Sequence, residues 1–192
     1  MFFRVIGTCV ILVGLLFIGA HSDTIGLYND PSGMSCNLTD VFPLKQVYVV
    51  HIPSGGTTGS EWAAPKPACW TNATYLSDTE PFENPGNSQV GKSVGYGACY
   101  TRPIHILTIN YFDQGSSPPC CLYPLLGHPY VNPENPIVAD CNYEAHSAQG
   151  LVATINGNVT CPCGYPVPAE ETTWGRVKAL YVDYRRRTSA CS

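Results

Sequence analysis

The chain contains 192 residues, of which only 12% are Asp, Glu, Lys or Arg, and its formal net charge is -4. This charged share is about half of the ~25% that is typical of soluble domains. The one run of basic residues, 185–187, is predicted to be a solvated part of the C-terminal tail. Because no basic face accompanies the negative net charge, the composition excludes a nucleic-acid-binding protein.

The N-terminus predicts a secretory signal peptide over residues 1–22. It combines Arg4 with an apolar run over residues 5–19 and the small residues Ala20 and Ser22, near which cleavage is expected. The alternative is an uncleaved membrane anchor, but the apolar run is shorter than the ~20 residues of a membrane-spanning helix. We therefore expect a secreted, extracellular chain without membrane attachment after cleavage. Residues 23–182 are predicted as a single disulfide-rich β domain and residues 183–192 as a tail.

Short runs of β-branched and aromatic residues alternate with clusters of Gly, Pro and Asn from residue 24 to residue 155, a pattern typical of all-β proteins. The longest run, residues 104–112, is predicted to be the central strand. The other predicted strands, in chain order, are residues 24–28, 46–52, a weaker one in 68–76, an edge strand around Val90 and Val94, 137–141 and 151–155.

The segments between these strands contain residues that favour turns and loops. Residues 29–33 predict a turn, 53–59 a loop tip, and 118–136 a proline-rich crossing. Asn156 and Gly157, directly after a predicted strand, are the best hairpin signal. The fold predicted from this pattern is mainly β, a disulfide-stabilised antiparallel β-sandwich, with a barrel as the alternative.

One short C-terminal helix is predicted over residues 172–181. Trp174, Val177 and Tyr181 recur at helical spacing there, which would place them on one face. Gly175 weakens this prediction, and Val177, Ala179 and Tyr181 also alternate as they would in a strand. We expect the helix, with its aromatic stripe covering the core.

Ten cysteines are present, and Cys9 is expected to leave with the signal peptide. Eight of the others fall between residues 36 and 163, and eight cysteines in an exported chain predict four disulfides: Cys36, Cys69, Cys99, Cys120, Cys121, Cys141, Cys161 and Cys163. Adjacent or near-adjacent cysteines pair poorly with each other, so each doublet is expected to have two different partners. Cys191 makes the count odd and is predicted to be free or intermolecular.

The same cysteines, together with His51, His105, His128 and His146, allow a zinc site as an alternative. No C-x-x-C spacing occurs, however, and export oxidises thiols. We therefore expect neither a metal nor another cofactor.

Two patterns favour a small secreted hydrolase as the alternative function. Ser93 lies in a G-x-S-x-G sequence, but its flanking residues do not predict the strand and helix of a nucleophile elbow. Asp140, Glu144 and His146 could form an acid–base pair, although carboxylates in a loop usually cap the backbone. We predict that the chain is not an enzyme.

Aromatic residues favour a non-catalytic binding or surface-structural module. Trp62 and Trp70 are the candidate binding aromatics, which could stack on sugars or contact a protein, unless they fill the core beside the disulfides. Asn37, Asn72 and Asn158 lie in N-glycosylation sequons, which favours a glycoprotein. The expected partner is therefore an unknown protein or glycan outside the cell.

Overall fold

The computed structural model describes residues 22–82 and 84–166, and within these ranges it contains thirteen β-strands and no α-helix. No helix in this described part is therefore long and apolar enough to cross a membrane. The strands are β1 (Thr24–Tyr28), β2 (Asn37–Leu38), β3 (Leu44–Ile52), β4 (Thr57–Trp62), β5 (Ala73–Thr79), β6 (Gly86–Asn87), β7 (Gly91–Tyr100), β8 (Ile104–Asp113), β9 (Cys121–Pro124), β10 (Ile137–Asp140), β11 (Ala145–Ser147), β12 (Gln149–Gly150) and β13 (Val152–Ile155).

The strands form three sheets. The first sheet has the order β12-β1-β3-β8-β5, the second β11-β10-β4-β7-β6, and the third, smaller sheet β2-β13-β9. Most neighbours are antiparallel, but β1 with β12 and β2 with β13 are parallel pairs. The predicted mainly β sandwich is confirmed, whereas its purely antiparallel character is corrected to a mixed arrangement.

All three sheets contribute to one hydrophobic core. The first half of β3 and all of β9 alternate between buried and more exposed side chains, because successive side chains of a strand point to opposite faces of the sheet. In contrast, β13 is buried along its whole length. The first sheet supplies Val47 and Ile109, the second Trp62 and Val94, and the third Ile155. The outward faces of the first and second sheets therefore remain available to solvent or partners.

The predicted central strand is confirmed as β8. It lies between β3 and β5 and contributes Ile106, Leu107, Ile109 and Tyr111, each without exposed surface. Burial of these side chains follows from their largely apolar character and from the position of β8 between two neighbouring strands.

Two strands of the second sheet differ from the prediction. The predicted loop 53–59 contains the start of β4, and the predicted edge strand is the ten-residue β7, between β4 and β6. Gly59 explains part of the difference: a Cβ at this position would lie 2.9 Å from the carbonyl oxygen of Val94. The glycine thus permits close approach of two strands rather than forming a loop.

The predicted hairpin at Asn156 and Gly157 is wrong. Asn156 has a positive φ of 51°, as a turn residue does, but β13 pairs with β9 and β2 on its two sides. The peptide nitrogen of Asn156 donates to the carbonyl of Leu38. Both edges of β13 are occupied mainly by segments distant in sequence, and the chain returns only at Gly164 and Tyr165, whose backbones bond to Val152.

The eight predicted cysteines form four disulfides, Cys36–Cys163, Cys69–Cys121, Cys99–Cys141 and Cys120–Cys161. The members of each doublet have different partners, as expected from the chain geometry. The two bridges at Cys120 and Cys121 connect the third sheet to separate loops.

Several predictions lie outside the described residues. They concern most of the signal peptide, the helix over residues 172–181 with its aromatic stripe, the tail over residues 183–192, and Cys191.

Candidate functional site

Ser93 does not occupy a nucleophile elbow. It lies within β7, opposite Glu61 of β4, and its hydroxyl donates to Glu61 Oε1 at 3.1 Å. No helix follows it in the described part of the chain. A serine within a regular strand, bound to a carboxylate, has neither the strained turn nor the histidine that the predicted chemistry needs.

Two histidines of the zinc alternative, His105 and His128, lie on different elements. His105 is on β8 of the first sheet, where its Nε2 lies 2.9 Å from the hydroxyl of Thr108. His128 packs over Gly91, where a Cβ would lie 2.5 Å from His128 Nε2. The geometry therefore assigns each imidazole a local structural contact.

The Asp140, Glu144 and His146 group is not a carboxylate pair with a histidine. Asp140 Oδ1 accepts the peptide N–H groups of Asn142 at 2.8 Å and Glu144 at 2.9 Å, and so closes the turn between β10 and β11. The hydrogen bond from the Glu144 backbone is the main reason why the pKa of Asp140 is lowered. His146 Nε2 instead lies 3.8 Å from the carboxylate of Asp23.

Trp62 and Trp70 cannot be binding aromatics, because both have 0% exposed surface. Trp62 Nε1 donates to Ser60 Oγ at 3.1 Å, and Trp70 Nε1 donates to Asp113 Oδ2 at 3.2 Å. The alternative interpretation, in which these rings fill the core, is the one that the structure supports.

The three sequon asparagines differ in accessibility. Asn37 and Asn158 are exposed, whereas Asn72 is half-buried and donates from Nδ2 to the carbonyl of Gly115 at 3.1 Å. Asn37 exchanges two hydrogen bonds with the backbone of Gly157. Glycosylation stays a prediction, and Asn158 is the site that it would disturb least.

An exposed apolar cluster lies at one end of the outer face of the first sheet. Phe42 is 67% exposed, Leu44 is 52% exposed and Phe112 is 38% exposed. Leu44 and Phe112 are opposite each other on β3 and β8, and the rings of Phe42 and Phe112 meet edge to face at 6.0 Å. We call these three residues the aromatic patch.

Polar side chains continue this face beyond the aromatic patch. Gln46 Nε2 donates to Asn110 Oδ1 at 3.2 Å, and Tyr48 OH donates to Gln46 Oε1 at 3.0 Å. Asn110 Nδ2 in turn donates to Thr79 Oγ1 at 2.9 Å. These polar groups hydrogen-bond to one another, which fixes their arrangement. The outer face of the first sheet therefore has an apolar end, the aromatic patch, next to a network of polar side chains.

The aromatic patch was not among the predicted binding aromatics, which were Trp62 and Trp70. A signal was present: Phe112 follows Tyr111 in the predicted central strand, so one of the two must point outward. The position of Phe42 beside it depends on the pairing of β3 with β8, which a single sequence does not contain.

No group of three or more His, Cys, Asp or Glu side chains suited to a metal ion occurs within residues 22–82 and 84–166. The cysteines of the zinc alternative are instead held in disulfides.

No protein-family model matches the chain, and no curated protein matches it in sequence. A solved structure that it resembles is the sixth cohesin of scaffoldin B from Acetivibrio cellulolyticus, in complex with a Cel5 dockerin mutant. The two chains are 11% identical with a TM-score of 0.47, and the match covers 72% of this chain and 100% of the cohesin. The strands and bridges of this chain themselves define its class, a disulfide-linked β-sandwich.

Proposed function

We propose that the chain is a secreted, non-catalytic binding module whose partner is another protein that docks on the aromatic patch. The exposure of Phe42, Leu44 and Phe112 together at one end of a sheet supports this proposal. Large apolar side chains surrounded by polar groups are the usual anchors of protein interfaces. In this proposal residues 1–22 are removed as a signal peptide and residues 23–182 form the mature domain.

The shape of the aromatic patch favours a protein over a glycan. Sugars usually stack on a flat ring face, whereas the rings of Phe42 and Phe112 are inclined at 75° to each other. Leu44, opposite Phe112, adds an aliphatic side chain, which suits an apolar side chain of a protein partner. The amides of Gln46 and Asn110 are bound to each other rather than free for sugar hydroxyls.

The test compares the wild-type chain with the double variant Phe42→Ser/Phe112→Ser. The matched control is Tyr130→Ser, which removes an 87% exposed aromatic ring from a different loop. Each chain is immobilised and exposed to proteins secreted by its native host, and any captured protein is then purified and titrated calorimetrically. Loss of one interface anchor typically costs ≥ 2 kcal/mol, so the double variant should bind at least ~30-fold more weakly.

Two outcomes would contradict the proposal. One is a purified partner that binds the double variant as tightly as the wild-type chain while losing affinity for Tyr130→Ser. The other is a glycan on an array that binds the wild-type chain and binds Phe42→Ser/Phe112→Ser with the same affinity.

A further inference from the structure

A cleft of about 440 Å³ lies at the end of the sandwich opposite the aromatic patch. The patch is at the start of the nine-residue β3, and the cleft lies beyond the last residue of that strand. Its lining comes from four segments and consists of Asp23, Ser54, Gly55, Gly56, Asp140, Cys141, Asn142 and His146. A concavity of this size suits a small ligand or a single long side chain.

The Asp23 carboxylate lines the cleft but is only 2% exposed. Its Oδ1 accepts both the peptide N–H and the hydroxyl of Ser54, each at 2.6 Å. Its Oδ2 has no hydrogen-bond partner. A buried carboxylate oxygen without a hydrogen-bond donor is energetically unfavourable. A ligand in the cleft could supply the donor that Asp23 Oδ2 lacks.

The imidazole of His51 lies beside this oxygen. His51 Nδ1 is 2.9 Å from Tyr96 OH, and Tyr96 donates its own hydroxyl proton to Ser60 Oγ at 2.7 Å. His51 Nε2 is 3.3 Å from Asp23 Oδ2, and His146 Nε2 is 3.8 Å from the same oxygen. Asp23 Oδ2 is therefore close to two imidazoles without a hydrogen bond of good geometry to either.

The charge of the cleft is negative near neutral pH. Burial raises the pKa of Asp23, but the two hydrogen bonds from Ser54 and the neighbouring His51 outweigh it, so the pKa is lowered overall. The pKa of Asp140 is lowered chiefly by the Glu144 backbone, whereas burial lowers that of His51 to about 4. Two carboxylates are thus ionised, His51 is neutral, and no Lys or Arg is among the lining residues.

We propose that this cleft binds a primary ammonium group, carried either by a lysine side chain of a protein or by a free amine. An ammonium group has three N–H donors and no acceptor. Asp23 Oδ2 accepts one of them, the neighbouring imidazoles of His51 and His146 are acceptors when neutral, and Asp140 adds a second negative charge. The described residues provide no three-ligand metal arrangement here, so an organic cation fits better than a metal ion.

The experiment follows the backbone amides of Gly55 and Gly56 by NMR at pH 7.5. The ligands are the peptide acetyl-Gly-Lys-Gly-amide, the same peptide acetylated on the lysine Nε, and cadaverine as the free amine. We expect saturable shifts with the lysine peptide or with cadaverine, and none with the acetylated peptide. A response to the peptide alone identifies a protein side chain as the source of the ammonium group, and a response to cadaverine alone identifies a free amine.

Three variants separate binding from folding. Asp140→Asn removes one charge from the cleft and should weaken binding about fivefold or more, and Asp23→Asn about tenfold or more, as expected for a charge-assisted hydrogen bond. Because Asp23→Asn could unfold the chain, Asp140→Asn, at a half-exposed position, is the decisive variant. Glu134→Gln, an exposed carboxylate on another loop, is the control and should bind as the wild-type chain does.

The proposal is overturned if the acetylated peptide shifts the same amides equally, or if neither ammonium ligand gives saturable shifts. Unchanged affinity in a folded Asp140→Asn chain would also overturn it. Since the aromatic patch lies at the other end of β3, Phe42→Ser/Phe112→Ser should leave this titration unchanged. Failure of the ammonium-binding proposal can therefore be distinguished from failure of the proposed docking function.

Discussion

The hydroxyl groups of Tyr111 and Tyr123 lie 2.6 Å apart in the core, and both side chains have 0% exposed surface. Tyr123 OH also donates to the carbonyl of Ala64 at 2.9 Å, so the proton of the shared bond comes from Tyr111. This pair joins β8 of the first sheet to β9 of the third. It is one of several polar connections in the core, together with the hydrogen bonds from Trp62 to Ser60 and from Trp70 to Asp113.

We first predict that this pair does not ionise while the chain is folded. Burial raises the pKa of Tyr111 to about 12, and burial together with Tyr111 raises that of Tyr123 further. Because tyrosines of the unfolded chain ionise near pH 10, the free energy of unfolding should fall as the pH rises above ~10. Ultraviolet titration followed with circular dichroism should show late ionisation that coincides with unfolding; complete ionisation near pH 10 in a folded chain would contradict this.

The second prediction concerns Trp70, whose ring centroid lies 4.5 Å from that of Tyr111. Trp70→Ala should lower the free energy of unfolding by ~3–5 kcal/mol, because it leaves a cavity and removes the donor to Asp113. The control, Tyr130→Ala at an exposed position, should change it by less than ~0.5 kcal/mol. Urea denaturation measures both, and equal midpoints for Trp70→Ala and the wild-type chain would show that the ring is not part of the core.

Much of the first sheet could be predicted because its strands carry their signal locally. The residues of β1, β3 and β8 alternate or run continuously as buried strands do, and their predicted bounds agree with the structure within about two residues. The number of disulfides followed from the cysteine count alone. Their pairing did not, because it depends on which loops the sheets bring together.

The second sheet was less predictable because its strands are rich in glycine and serine. In β7, Gly91, Gly95 and Gly97 resemble loop residues, and only the close neighbours β4 and β6 make them a strand. The cleft was not predictable for a related reason: Asp23, His51 and His146 are far apart in sequence. These three residues come close together only because of the order in which the strands are arranged.

The third prediction is that acid destabilises the chain through His51. The pKa of His51 is lowered by burial from its usual 6.5 to about 4 in the folded chain. The unfolded chain therefore binds the proton more readily, and stability should be lost as the pH falls from ~6.5 to ~4, by up to ~3 kcal/mol. His51→Gln should flatten this dependence in denaturation experiments at several pH values; parallel curves for the two chains would assign the loss to other groups.

The fourth prediction concerns the bridges. Cys36–Cys163 spans 127 residues and Cys99–Cys141 spans 42, so chain-entropy arguments give costs of ~5 and ~4 kcal/mol for their removal. Each double Cys→Ala variant should therefore lose a large share of the ~5–15 kcal/mol typical of a folded domain. Denaturation without reductant measures the loss, and a cost below ~1 kcal/mol for both pairs would show that the bridges are not structural.

The parallel pairing of β2 with β13 has a consequence during biosynthesis. Leu38 pairs with Ile155, and Cys36 with Cys163, 127 residues later in the chain. At ~5–20 residues per second, the ribosome needs roughly 6–25 s to make the intervening segment. During that time the thiol of Cys36 can react with those of Cys69 or Cys99, which emerge earlier. Any such early bridge has to be exchanged before Cys36 can join Cys163, so a disulfide isomerase should speed the correct oxidation of this protein.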